Sequence, residues 1–134
     1  MSINLQLLQK AVFTYLNMPE HALGIPFYTS IPSVIQYPYG RLEIIPALLD
    51  IHKYGVWTAK LNLSIFIKTN NNLTIHNTLT RIVEITGLAY IKENIDAEAD
   101  IQNFQLVVSN PRVFPDIVTG VQHLMFEFDC FYNS

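Results

Sequence analysis

VWTAKLNLSIFIK, residues 56–68, is the stretch whose reading decides the fold. Trp57, Ala59, Leu61, Leu63, Ile65 and Ile67 alternate with Thr58, Lys60, Asn62, Ser64, Phe66 and Lys68. A period of two over this length predicts a strand with one face in a core and the other mostly in water. Upstream, Arg41–Ile45 reads as a shorter strand, and Pro46 ends it or marks a sheet edge. The two runs are joined by the connection 47–55, which closes at Gly55, so they read as an antiparallel hairpin.

Downstream, Asn70, Asn71 and Asn72 supply turn and helix-capping chemistry. A helix is expected over Leu73–Thr86, with Ile75, Leu79, Ile82 and Val83 (and Thr86) as its apolar stripe and Gly87 as its C′ residue. Leu88–Ile91 reads as a short strand, followed by an acidic loop carrying Glu93, Asp96, Glu98 and Asp100. Another strand is expected from about Ile101 to Val108. Asn110-Pro111 and Pro115-Asp116 read as turns. The last strand, about Val118 to Tyr132, places Leu124, Phe126, Phe128 and Cys130 on one face and Met125, Glu127, Asp129 and Phe131 on the other.

At the other end, Leu5, Leu8, Val12, Tyr15 and Leu16 recur at helical spacing, and Pro19 lies just past the expected stop near Asn17. Residues 18–40 form a long connection punctuated by Gly24, Pro26, Pro32, Pro38 and Gly40. Its apolar content (Leu23, Ile25, Phe27, Tyr28, Ile31, Val34, Ile35) predicts a segment laid against a core. The order of elements gives an α+β class: an antiparallel sheet of about four strands with two helices packed on one face. The 134 residues fit a single domain, 1–134. Folding should bury roughly two thirds of the unfolded chain's surface at this length.

Half of the residues are hydrophobic and only 14% are charged. A small domain has much surface per residue, so this deficit predicts apolar or neutral surface buried against other chains. A net charge of −3 with Lys and Arg scattered singly argues against a dedicated nucleic-acid binder. One cysteine, Cys130, permits no intrachain disulfide and suits a reducing compartment. Met1–Lys10 lacks the pattern of a secretory signal, and the longest uncharged run, 21–40, is broken by Pro26, Pro32 and Pro38, so no membrane span is expected.

Catalytic candidates are few. Asp50 and His52, two apart, would point the same way in an extended segment, but no third ligand has a suitable spacing. His76 reads as an ordinary helix-surface residue, and His21 and His123 have no partner visible in sequence. Cys130, on an apolar strand face, reads as a buried inert thiol. No phosphate loop, nucleophile elbow or zinc-protease helix is present. No enzyme activity, cofactor or metal is expected. Two features look like contact surface instead. Tyr37-Pro38-Tyr39-Gly40 offers two amphipathic rings, and the 47–55 connection, with Asp50, His52, Lys53 and Tyr54, projects from one end of the sheet.

The pairing of Phe27-Tyr28-Thr29-Ser30-Ile31-Pro32 with Tyr37-Pro38-Tyr39 resembles the tail-terminator (tail-completion) proteins of tailed phages and phage-derived particles. The N-terminal helix, the long strand from Gly55-Val56-Trp57 to Lys68, the helix Leu73–Thr86, and Val107-Val108-Ser109-Asn110 with Leu124-Met125-Phe126-Glu127-Phe128 extend the resemblance over nearly the whole chain. Family members often carry a tryptophan–serine pair where this strand ends Ser64-Ile65-Phe66-Ile67-Lys68. The resemblance implies a non-enzymatic protein that caps the tail tube, stops its polymerisation and joins tail to head. It also implies the partners: other copies of this chain in a ring (commonly six), the tail tube protein, and the head–tail connector or neck protein. DNA would only pass through the lumen, where Glu93, Asp96, Glu98 and Asp100 would repel phosphates. The expected location is the tail–neck junction of a particle assembled in a bacterial cytoplasm. Another neck or head-closure component, or a small-ligand-binding α+β domain with residues 18–40 as a lid, are the alternatives.

Overall fold

A computed structural model of the chain describes residues 5–21, 23–30, 33–46, 56–87, 90–99, 101–108 and 111–133. Three α-helices and six strands are found among them: α1 (Leu5–Leu16), β1 (Phe27–Tyr28), β2 (Tyr39–Pro46), β3 (Val56–Lys68), α2 (Asn72–Thr86), α3 (Tyr90–Ala99), β4 (Gln102–Val108), β5 (Arg112–Pro115) and β6 (Val121–Asn133). The strand order is β1-β2-β3-β6-β4, with β5 also paired to β6. The centre is the β3–β6 pair, antiparallel in unbroken register from Val56↔Asn133 to Lys68↔Val121. β2 flanks β3 as the expected antiparallel partner, from Tyr39↔Phe66 to Pro46↔Ala59. Along the far side of β6 run first β4, then β5.

The α+β class holds, with two corrections. The sheet has six strands rather than about four, and it is mixed, because β1 lies parallel to β2. A third helix, α3, occupies Tyr90–Ala99, where the end of a short strand and an acidic loop were expected. Ile91, Ile95 and Ala99 fall four residues apart and are all buried. That apolar stripe is helical, and the carboxylates between its members disguise it. Lys92 bonds Asp96 one turn on (3.0 Å). β5 lies between two prolines that read as turn signals. Pro115 is its last residue, a position an edge strand tolerates.

The core forms where one set of strand alternates meets the three helices. Leu61, Leu63, Ile65 and Ile67 of β3 and Leu124, Phe126, Phe128 and Cys130 of β6 are buried against Leu8, Val12, Tyr15, Ile82, Ile85 and Ile95. Each fully buried Leu, Ile or Phe contributes about 1.5–3 kcal/mol of transfer free energy. On α2 the buried positions are Ile82 and Ile85, with Ile75 and Leu79 partly covered. Val83 is 43% exposed, so the stripe turns toward Ile85 rather than Val83. The Tyr15 hydroxyl donates to the Ile85 carbonyl and ties α1 to α2. Asn71 caps α2 by accepting from Leu73 N–H at 2.9 Å. Gly87 ends that helix in a right-handed conformation (φ −93°), so its freedom at positive φ is not used.

Within 18–40, Phe27 is buried and Leu23 and Ile25 pack on the core, as expected. Val34 and Ile35 do not; they are largely exposed. Phe27 lies flat across Gly40 of β2, and a Cβ added at Gly40 would collide with its ring. Register explains the outward side of β1. Gly40 N–H bonds the Pro26 carbonyl (2.8 Å), so in the parallel pair the Phe27 N–H and C=O point away from β2. The Asn17 carboxamide meets both. Its oxygen accepts from Phe27 N–H (3.0 Å) and its nitrogen donates to the Phe27 carbonyl (3.2 Å). One side chain from the end of α1 thus stands where a further strand would pair.

Candidate functional site

The sheet face opposite the helices is built from the even positions of β3 and the odd positions of β2 and β6. It carries an aromatic row that crosses four strands. Register sets Tyr39 opposite Phe66, Phe66 opposite His123, and His123 opposite Phe114. Tyr39 and Phe66 stack at 4.9 Å between centroids (21°), Phe66 and His123 at 4.5 Å (17°), and Phe114 meets His123 edge-on at 4.6 Å (68°). Tyr37 extends the row, its ring 5.7 Å from Tyr39. Such pairs contribute about 0.5–1.5 kcal/mol each beyond the area they bury.

Ion pairs flank this row. Arg112 of β5 bonds Glu127 of β6 at 2.8 Å and lies 3.8 Å from the Met125 sulfur. Arg41 faces Glu43 along β2 and Lys60 faces Asp129 across β3 and β6, each at 3.8 Å. All six side chains are about half exposed, so these pairs set the pattern of charge more than the stability.

Apolar surface collects on the β4–β5 side. Half of the ten exposed large hydrophobics among the described residues lie there: Val107, Val113, Phe114, Ile117 and Val118. Ile117 is fully exposed, at the turn between β5 and β6. That turn is locally built. Gly120 takes a positive φ of 82°, and its carbonyl accepts from Thr69 N–H (3.0 Å). The strand β4 has β6 as its only strand partner among the described residues, and the segment Gln102–Val108 contains neither proline nor charge.

The expected contact residues separate. Tyr37 is half-buried and Tyr39 is 7% exposed, so Tyr39 is the inner member of the aromatic row rather than a free contact ring. Burial, reinforced by Tyr37 and Asp116, raises its hydroxyl above the ordinary value. Asp50, His52, Lys53 and Tyr54 lie outside the described residues, as does Asp100. Glu93 and Glu98 are exposed on α3, whereas Asp96 is structural: it holds Lys92 and accepts from Phe104 N–H (2.9 Å), fixing the start of β4. Glu93, Asp96 and Glu98 are therefore helical rather than parts of a loop.

Of the chemical candidates, His76 is exposed on α2 as expected. His21 is buried against Tyr15 (4.7 Å), and its carbonyl accepts from Arg81 (2.9 Å). Cys130 is buried in the core, where loss of solvent pushes its thiol up to about 12. Among the described residues, no three His, Cys, Asp or Glu side chains group closely enough to hold a metal ion. The 18–40 segment encloses an open depression of about 320 Å³ on its own side, lined by Tyr28, Gln36 and Tyr37 among others. No helix among the described residues is long and apolar enough to cross a membrane.

The aromatic row was the part sequence reasoning missed. In the sequence Phe66 stands as a single apolar residue on a polar alternate, His123 has no visible partner, and Tyr39 pairs only with Tyr37. Only the strand order brings them into line. No family model matches the chain, and no curated protein matches it.

Proposed function

We propose that this chain is a structural assembly subunit, and specifically a tail terminator: a protein that caps a phage or phage-like tail tube and joins it to the head as a ring. The observation that carries the reading is the β4–β5 side of the sheet. An uncharged seven-residue edge strand, with Val107 exposed, lies on the same side of β6 as β5 and its turn, where Phe114, Ile117 and Val118 are exposed. Unprotected edges of this kind are templates for pairing with another chain, and contiguous exposed apolar groups mark protein contacts. The 14% charged content fits a surface that is partly covered on assembly. The choice of a tail tube as the partner rests on the resemblance of the Phe27–Pro32 and Tyr37–Tyr39 motifs and of the element order. A ring needs heterologous contacts, in which one patch fits a different patch on the neighbour.

The test is deletion of the gene in a particle-producing host, with electron microscopy of the tails. Tails of uncontrolled length that fail to join heads are expected. Tails of normal length, joined to heads, refute the reading. Ile117→Asp should reproduce the defect while the purified variant keeps its wild-type fold.

A further inference from the structure

β5 is the most weakly seated strand of the sheet. It has four residues, all exposed, and pairs with β6 alone among the described strands. Two side-chain devices hold it on the open face. One is the Arg112–Glu127 ion pair. The other is the contact of Phe114 with His123, whose imidazole is flanked by Phe66 on one side and Phe114 on the other. The His123 Nε2 is buried and has no hydrogen-bond partner in this arrangement. A neutral imidazole can present a bare nitrogen lone pair to such a slot. An imidazolium must bury an N–H there with nothing to accept it, which is costly.

The charges around the ring are known from each element packed on it. From β3 comes the ring of Phe66, with Lys68 at the next open-face position. β2 adds the uncharged Tyr39 hydroxyl, beyond Phe66. β5 contributes Phe114, with Arg112 already engaged by Glu127 of β6. Among the described residues, the Asp116 carboxylate, just past the end of β5, is the charge that favours protonation of His123. Burial opposes it and is the larger effect, which leaves the imidazole below the ordinary value of 6.5.

We propose that neutral His123 latches β5 to the sheet, and that protonation of His123 releases β5 and the apolar β5–β6 turn. Release frees the imidazole from the slot between Phe66 and Phe114 and lets water reach Nε2. It also uncovers the parts of Phe66 and Phe114 that now face the imidazole, so the sheet face and edge change character together. The latch is independent of the partner that the β4–β5 side contacts, and it stands whether or not the chain caps a tail tube.

The experiment is an NMR titration of the wild-type chain with amide hydrogen exchange at about pH 7.5 and about pH 5, a window that histidine alone among unperturbed side chains spans. The His123 ring signals should titrate below 6.5. Amides of Val113 and Phe114 should lose protection at the lower pH, after correction for intrinsic exchange, while those of α2 keep theirs. Phe114→Ala opens one wall of the slot and should move the His123 midpoint up toward 6.5. His123→Phe should keep β5 protected at both pH values. A His123 midpoint at or above 6.5, or equal acid loss of protection in His123→Phe, overturns the proposal. The wild-type measurement decides alone if either variant fails to fold.

Discussion

The two edges of the sheet are handled in opposite ways. At one edge, β1 is two residues long, follows Pro26, and has the outward N–H and C=O of Phe27 taken by the Asn17 side chain. At the other, β4 offers seven uncharged residues, and the adjoining β5 is held by ring contact and one surface ion pair. Natural sheets usually blunt their edges with shortness, proline, charge or a covering element. Here one edge has several of these protections and the other has few. Among the described residues, then, the outward backbone of β1 is occupied by a side chain, whereas β4 has β6 as its one strand partner.

The largest effect on this comparison should come from Gly40→Ala. The added methyl meets the Phe27 ring, so β1 must lift or β2 must bend, costing about 1–3 kcal/mol by the usual scale of overpacking. Urea unfolding would measure it, and an unchanged midpoint would show that Phe27 can swing aside freely. Asn17→Ala is next. It leaves the outward N–H and C=O of Phe27 to water or to another chain, at a cost of about 1–3 kcal/mol if they stay buried. It should also raise concentration-dependent self-association in sedimentation, because the closed edge becomes a second open one. Monomeric behaviour with full stability would mean the Asn17 clamp is incidental.

At the open edge, stability effects should be smaller. The lowered His123 value means that the unfolded chain binds this proton more readily than the folded one. The neutral imidazole's contribution is therefore fully present above 6.5 and is lost as pH falls from there through the folded value. Thermal melts of wild type against His123→Phe should diverge only below that point. Arg112→Ala should change stability by about 0–1 kcal/mol, since both partners of the pair are substantially exposed. Its effect belongs in β5 exchange rates rather than in global unfolding. Ile117→Asp should leave unfolding unchanged, because the side chain touches solvent on all sides, and should act only on assembly.

Much of the fold was legible because it rests on local periodicity. Alternation alone marks β3 from Val56 to Lys68 and the two faces of β6, and helical spacing marks α1 and α2 to within about a residue. Readings failed where two signals competed. In α3, acidic residues between Ile91, Ile95 and Ala99 mimicked a solvated loop. In β5, Pro111 just before the strand and Pro115 at its end read as turn signals but bound a short edge strand. At α2, Val83 and Ile85 are near-equivalent in sequence, and only packing chooses Ile85 for the core.

The sequence by itself determined the α+β class, the central hydrophobic strand and the shortage of surface charge, because alternation, capping and composition are properties of neighbouring residues. Tertiary structure alone decided that Tyr39, Phe66, His123 and Phe114 stand in one row, that Asn17 closes one edge, and that β4 at the other has β6 as its only strand partner among the described residues. Those facts depend on which strands pair and in what register. A shift of one residue would send every ring of that row to the opposite face.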